Sequence, residues 1–208
     1  MPLKNDDALI DSIIKRYPRS RSAIMPLLHL AQARDGYVTP ESIEVIAEKL
    51  SLETAEVSAV ATFYTQYKRK PVGEYHVGVC TNTLCAVMGG DAIYESILEH
   101  LSIENDEVTS DGKVSVEHIE CNAACDYAPV VMVNWEFYDN QTVASAKDLV
   151  DACRAGNPPA PTRGPNKLPT WKENSEVLAG VNDGRANEGV QAGEPTLLGL
   201  KIAKEGGK

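Results

Sequence analysis

Up to residue 72, apolar side chains recur at three- and four-residue intervals, the spacing of one helix face. Leu9, Ile10, Ile13, Ile14 and Tyr17 form one stripe, closed by Pro18. Ile24, Leu27, Leu28 and Ala31 form a second, with Gly36 as its stop. Ile43, Ile46, Ala47 and Leu50 form a third. This third helix carries its own start signal: Thr39 as N-cap, Pro40 at the first helical position, and Val38 placed to pack on Ile43. Val57, Val60, Ala61 and Tyr64 make a fourth stripe after a very short link at Ser51-Leu52. Four such stripes predict a helical bundle over 1–72. The short link also fits a DNA-reading helix-turn-helix, a reading the charge balance below argues against.

From residue 73 the period changes. Tyr75, Val77 and Val79 alternate with His76 and Gly78, the pattern of a strand with one buried face. A helix follows with Ile93, Tyr94, Ile97, Leu98 and Leu101 on one side. The Asp111-Gly112 turn leads to a strand through Val114, Val116 and Ile119. Val130–Val133 is a continuous apolar run, as in a strand covered on both faces, and 135–138 reads as its hairpin partner. Thr142 caps a last helix whose buried side holds Ala146, Leu149, Val150 and Cys153, and Gly156 ends it. Strand–helix–strand–strand–strand–helix over 73–156 predicts an α/β sandwich with parallel pairing of the first two strands.

Residues 157–208 have neither period. The stretch from Gly156 onward holds half of the twelve prolines and more than half of the fifteen glycines, too little apolar surface to fold alone. It predicts an extended tail, either floppy or ordered on a partner through Trp171, Leu178, Leu197, Leu198, Leu200 and Ile202. Proline-stiffened intervals between such anchors would lower the entropy lost on docking. The whole is thus α+β: a helical bundle, an α/β domain and an extended C-terminal tail.

The net charge of −10 over 208 residues argues against nucleic acid, which needs a clustered positive patch; Lys68-Arg69-Lys70 is the one tight basic run. The start, Met-Pro-Leu-Lys-Asn-Asp-Asp, lacks a secretory pattern, and no apolar run reaches the length of a bilayer span. The expectation is an intracellular protein with no direct membrane insertion.

Five cysteines in a reducing compartment point to metal or redox chemistry rather than a disulfide framework. Four are paired: Cys80-x4-Cys85, then thirty-five residues, then Cys121-x3-Cys125. Each pair follows a predicted strand, so parallel neighbours would bring all four to one sheet edge, where such folds place their sites. Spacing leaves three readings open: a binuclear iron–sulfur cluster with two thiolates per iron, a four-cysteine zinc structural module, or disulfides. The first carries a net charge of about −2 that deepens on reduction, so it calls for donors. The Thr81–Leu84 loop and a helix beginning near Ala86 could supply them, and Gly89-Gly90 could let backbone approach closely. Glu120 and Asp126 stand beside these cysteines. Facing the site they would disfavour added negative charge; facing water they are solvated loop residues. Cys153 reads as a small core hydrophobe. His29, His76, His100 and His118 show no metal spacing, and no phosphate loop or catalytic triad stands out.

Cys80-Thr-Asn-Thr-Leu-Cys85, Gly89-Gly90 and Glu120-Cys121-Asn-Ala-Ala-Cys125-Asp-Tyr-Ala-Pro129, with Ala61-Thr-Phe-Tyr64 and Leu28-His-Leu-Ala-Gln32 before them, resemble the thioredoxin-like ferredoxin subunit of respiratory NADH:quinone oxidoreductase, over roughly residues 8–156. The resemblance implies a thioredoxin-like α/β domain after the bundle. It implies one 2Fe-2S cluster on Cys80, Cys85, Cys121 and Cys125, and an electron-transfer subunit that catalyses nothing alone. It implies as partners a flavin subunit, holding FMN and binding NADH, and a neighbouring iron–sulfur subunit. It implies a peripheral place on the cytoplasmic, or matrix-equivalent, side of an energy-transducing membrane. The same module in a soluble NAD-linked formate dehydrogenase or hydrogenase is the alternative. The chain departs from the family at Ala123, where glycine is frequent; a positive φ there would cost alanine about 1 kcal/mol. Pro129 is the position where thioredoxin-like folds often carry a cis-proline.

Overall fold

The structure is a computed structural model that describes residues 2–206. The chain forms two compact units. One takes the residues up to Val72 together with Pro169–Asp183; the other takes Gly73–Leu168 together with the residues from Gly184 on.

The first unit contains α1 (Asp7–Ile14), α2 (Ile24–Asp35), α3 (Pro40–Leu50) and α4 (Thr54–Phe63). Local signals set their ends. The Thr39 side chain accepts the Ser42 backbone N–H and Pro40 opens α3. Glu53 and Glu56 cap α4 reciprocally, and α2 stops at Gly36, whose φ of 90° is open to glycine. The core joins Ile10, Ile13, Leu27, Leu28 and Ile46 with Val38, Val57 and Ala61. Tyr17 and Tyr64, read above as stripe members, lie beyond their helix ends and are exposed.

Spacing predicts one buried stripe on α2, but the helix is buried almost all round, Leu30 and Ala33 included. The reason lies far along the chain. A helix that we number α8 (Trp171–Leu178) packs against α2. Trp171 is 2% exposed, and its indole N–H donates to the Gly36 carbonyl at 2.7 Å. Thr170 caps α8 in a reciprocal pair with Glu173. Trp171 is therefore a core residue of its own unit rather than an anchor left for a partner.

The second unit holds β1 (Tyr75–Cys80), α5 (Thr83–Val87), α6 (Gly90–Leu101), β2 (Val114–Ile119), β3 (Val131–Val133), β4 (Glu136–Tyr138), α7 (Val143–Arg154) and, near the end, α9 (Glu194–Lys204). The sheet order is β2-β1-β3-β4. β1 and β2 run parallel, with Tyr75 opposite Val114 and Cys80 opposite Ile119; the β1–β3 and β3–β4 pairs are antiparallel. Val77, Val79, Val116 and Val131 share a core with Ile93 and Ile97 of α6 and with Leu149, Val150 and Cys153 of α7. A second cluster gathers Cys80, Cys85, Ile119, Tyr127, Val130 and Met132.

The stretch after residue 157 is not one extended arm. It supplies α8 to the first unit and α9 to the second. Composition alone could not show this, because Trp171 acts through a residue distant in sequence, Gly36.

Candidate metal centre

The parallel register places the site. With Cys80 opposite Ile119, β1 and β2 end together, and the chain leaves both at the same sheet edge. After β1, two residues lead into α5, which carries Cys85. After β2 comes Cys121, and Cys125 opens a single 3-10 turn ending at Tyr127. The Asn82 side-chain amide donates to the Ile119 carbonyl at 3.4 Å, linking the two loops.

The helix expected to begin near Ala86 starts at Thr83 instead and breaks before α6. The break follows from packing. A Cβ on Gly90 would lie 2.5 Å from the Cys80 carbonyl oxygen and 2.9 Å from that of Cys85. Only a residue without a side chain lets α6 begin against the backbone of both cysteines.

All five cysteines are free. Cys80 and Cys85 are 2% and 3% exposed, while Cys121 and Cys125 are exposed. The thiols form two pairs. Sγ of Cys121 lies 3.7 Å from Sγ of Cys125, and Cys85 hydrogen-bonds Cys80 through its thiol. The pairs also feel each other: charge at Cys125 acts on Cys85, and charge at Cys80 acts on Cys125. Burial, with the neighbouring thiols added, pushes Cys85 up to about 11 against the lowering effect of the Val130 backbone N–H. Cys125 is also raised, first by its hydrogen bond with Cys121 and by that neighbour's charge, then by burial, Cys80 and Asp126. So many thiols in one place resist becoming thiolates together. A bound cation reverses this, because a coordinating thiol is deprotonated outright.

Backbone donors serve both pairs. The Val130 N–H reaches Cys85, and the Ala123 N–H donates to Sγ of Cys121 at 3.4 Å. Ala123 has a φ of 54°, so the departure from glycine falls where the backbone does take the left-handed form. The Ala128–Pro129 peptide bond is cis.

The donor set fits a binuclear iron–sulfur group. Two side-by-side thiol pairs with N–H donors suit two irons taking two thiolates each. Among the described residues, no three His, Cys, Asp or Glu side chains gather as a candidate site for a single metal ion. Cys153 lies apart, fully buried in the α6–α7 core, and burial pushes its thiol up to about 12. The histidines have other surroundings. His29 is buried in the helical unit, where desolvation lowers it to about 4. His76 meets Ser115 at 2.9 Å and Glu117 at 3.1 Å. His100 bonds Asp151, and His118 stacks edge-on with Tyr94. Of the two acids, Asp126 acts on Cys125; Glu120 is exposed. Sequence reasoning missed Val130 and Tyr127. The aromatic ring directly after Cys125-Asp126 was the one local signal for Tyr127.

The family model of thioredoxin-like [2Fe-2S] ferredoxins matches residues 10–154. An NADH-quinone oxidoreductase subunit of Mycobacterium tuberculosis (strain ATCC 25618 / H37Rv) is 60% identical over 194 residues, covering 93% of this chain and 77% of that one. The subunit of the same name from Rickettsia bellii (strain RML369-C) is 42% identical over 154 residues, covering 73% and 92%. Among solved structures, an NAD+-reducing [NiFe]-hydrogenase in the air-oxidized state aligns with a TM-score of 0.58 at 20% identity. That alignment covers 65% of this chain and 23% of the hydrogenase chain, and the likeness is one of fold.

Proposed function

The chain belongs to the thioredoxin-like [2Fe-2S] ferredoxin family, and from that premise we propose that it is an electron-transfer subunit of an NADH:quinone oxidoreductase. The observation that carries the proposal is the meeting of two thiol pairs at the β1–β2 edge, one pair buried and one exposed. Cys80, Cys85, Cys121 and Cys125 hold one [2Fe-2S] cluster. When bound, such a group stores and releases one electron.

The protein's part is to hold that charge and open one side of it. The Val130 and Ala123 N–H groups stabilise negative sulfur. The buried pair keeps water from the inner half. The exposed pair marks the edge where an electron crosses to or from a partner. No substrate chemistry is assigned to this chain, and it is non-catalytic by itself. FMN and NADH belong to the flavin subunit beside it, and a further iron–sulfur subunit is the second neighbour. The exposed apolar side chains of α9, Leu197, Leu198, Leu200 and Ile202, are the part of the tail we assign to partner contact. Among the described residues, no helix is long and apolar enough to cross a membrane. We assign a peripheral place on the cytoplasmic, or matrix-equivalent, side, held by partner subunits.

The test is anaerobic purification with iron, sulfide and zinc analysis, and electron paramagnetic resonance (EPR) after dithionite. About two irons and two sulfides per chain with a reduced-state signal are expected; a colourless protein with one zinc would refute the reading. Purification of the native assembly from membranes, with quinone-reducing activity, tests the host complex.

A further inference from the structure

The loop carrying the exposed thiols has no strand or long helix to hold it. The structure fastens it from the far end of the chain. Arg163 lies between two rings, with its guanidinium carbon 4.4 Å from the Tyr127 centroid and 4.1 Å from that of Phe137. Asp139 fixes this arginine with two hydrogen bonds of 2.8 and 3.0 Å, the bidentate geometry that resists rotation. Thr162 donates its backbone N–H to the Phe137 carbonyl at 2.8 Å and its hydroxyl to Asp139 at 2.8 Å. A second stretch arrives at the start of α9. The Gly193 N–H donates to the Tyr127 hydroxyl at 2.8 Å. That hydroxyl lies 2.9 Å from the Thr196 hydroxyl, which donates to the Asp126 carboxylate at 3.1 Å.

These contacts have one consistent proton order. Thr196 gives its hydrogen to Asp126, so the Tyr127 hydroxyl donates to Thr196 and accepts from Gly193. Bonds in such a chain polarise one another. The chain ends on the carboxylate next to Cys125, and Asp126 is among the charges that act on that thiol.

We propose that residues 162–163 and 193–196 form a clasp on the ligand loop, and that Thr196 is a positioning residue whose hydroxyl orients and partly neutralises Asp126 beside the outer thiol pair. The inference rests on the [2Fe-2S] reading above. Cluster potentials respond to hydrogen bonds and net charge nearby. Releasing Asp126 from Thr196 leaves more negative charge at the outer pair and makes reduction harder.

The experiment uses the full chain with its cluster, measuring the midpoint potential by EPR-monitored titration and iron loss to a chelator. Thr196 is exposed, so its variants spare the core. Thr196→Val is expected to lower the one-electron reduction equilibrium about threefold, roughly 30 mV, and Thr196→Ser to restore it. In an Asp126→Asn background the same Thr196→Val change is expected to have no effect on the potential. Tyr127→Phe removes a single oxygen from the chain and is expected to shift the potential in the same direction by less, with faster iron loss. A potential unmoved by Thr196→Val, or moved equally with and without Asp126, overturns the inference while leaving the function standing. No binuclear signal in the unaltered chain overturns both.

Discussion

The two thiol pairs stand at one sheet edge but are held by opposite means. Cys80 ends a strand whose residues are all buried, and Cys85 sits inside a helix. Gly90 brings a second helix against both their carbonyls. Cys121 and Cys125 sit on a loop with one 3-10 turn, steadied by Arg163 and Thr196 from later in the chain. Regular structure makes a dry, rigid half. The accessible half has to stay irregular, and its order is imported through side chains.

The contrast can be broken at several strengths. The largest effect is expected at the ligands. Cys80→Ser and Cys85→Ser should lose essentially all bound iron, well beyond the roughly 10–100-fold loss in affinity that follows a missing supporting contact. Cys121→Ser and Cys125→Ser should retain a measurable fraction, because solvent and a serine oxygen reach the outer side. Iron-to-protein ratios after reconstitution check this, and equal retention by all four would erase the distinction. Next, Gly90→Ala drives a methyl into the Cys80 carbonyl and should destabilise the second unit by about 1–3 kcal/mol, read as a lower denaturant midpoint. Cys153→Ala removes a buried sulfur from the α6–α7 core. It should cost about 1 kcal/mol with iron content and EPR spectrum unchanged; iron loss would place that residue in the site. The smallest effect belongs to the outer loop. Ala123→Gly relieves a left-handed φ of 54° and should stabilise the protein by no more than about 1 kcal/mol.

The same contrast explains what could be read from the chain. The four helix stripes, the alternation over 75–79 and the apolar run at 130–133 announce their elements because burial is periodic. Parallel pairing of β1 and β2 then follows from element order, and with it the convergence of the cysteines. The break at Gly89-Gly90 was legible as two glycines but not as the contact with Cys80 that requires it. Tyr127, Arg163 and Thr196 carry no period, and their partners lie tens of residues away. Trp171 stands in a glycine- and proline-rich stretch, so composition assigned it outward. Its indole instead closes over α2, a fact that only long-range packing decides.

That return of Trp171 has a consequence for how the protein is made. The helical unit comprises the residues up to Val72 and a segment that begins at Pro169. Its central helix α2 is clothed on one side by α8, which begins roughly a hundred residues after Val72, where the first stretch of the unit ends. At about 5–20 residues per second, a ribosome needs on the order of 5–20 s to cover that interval. For that time the nascent bundle shows an apolar flank to the cell, while the sheet unit is still emerging. The first part of the chain to be made is thus among the last to be finished, and a chaperone that shields α2 during elongation has a defined moment at which α8 should displace it.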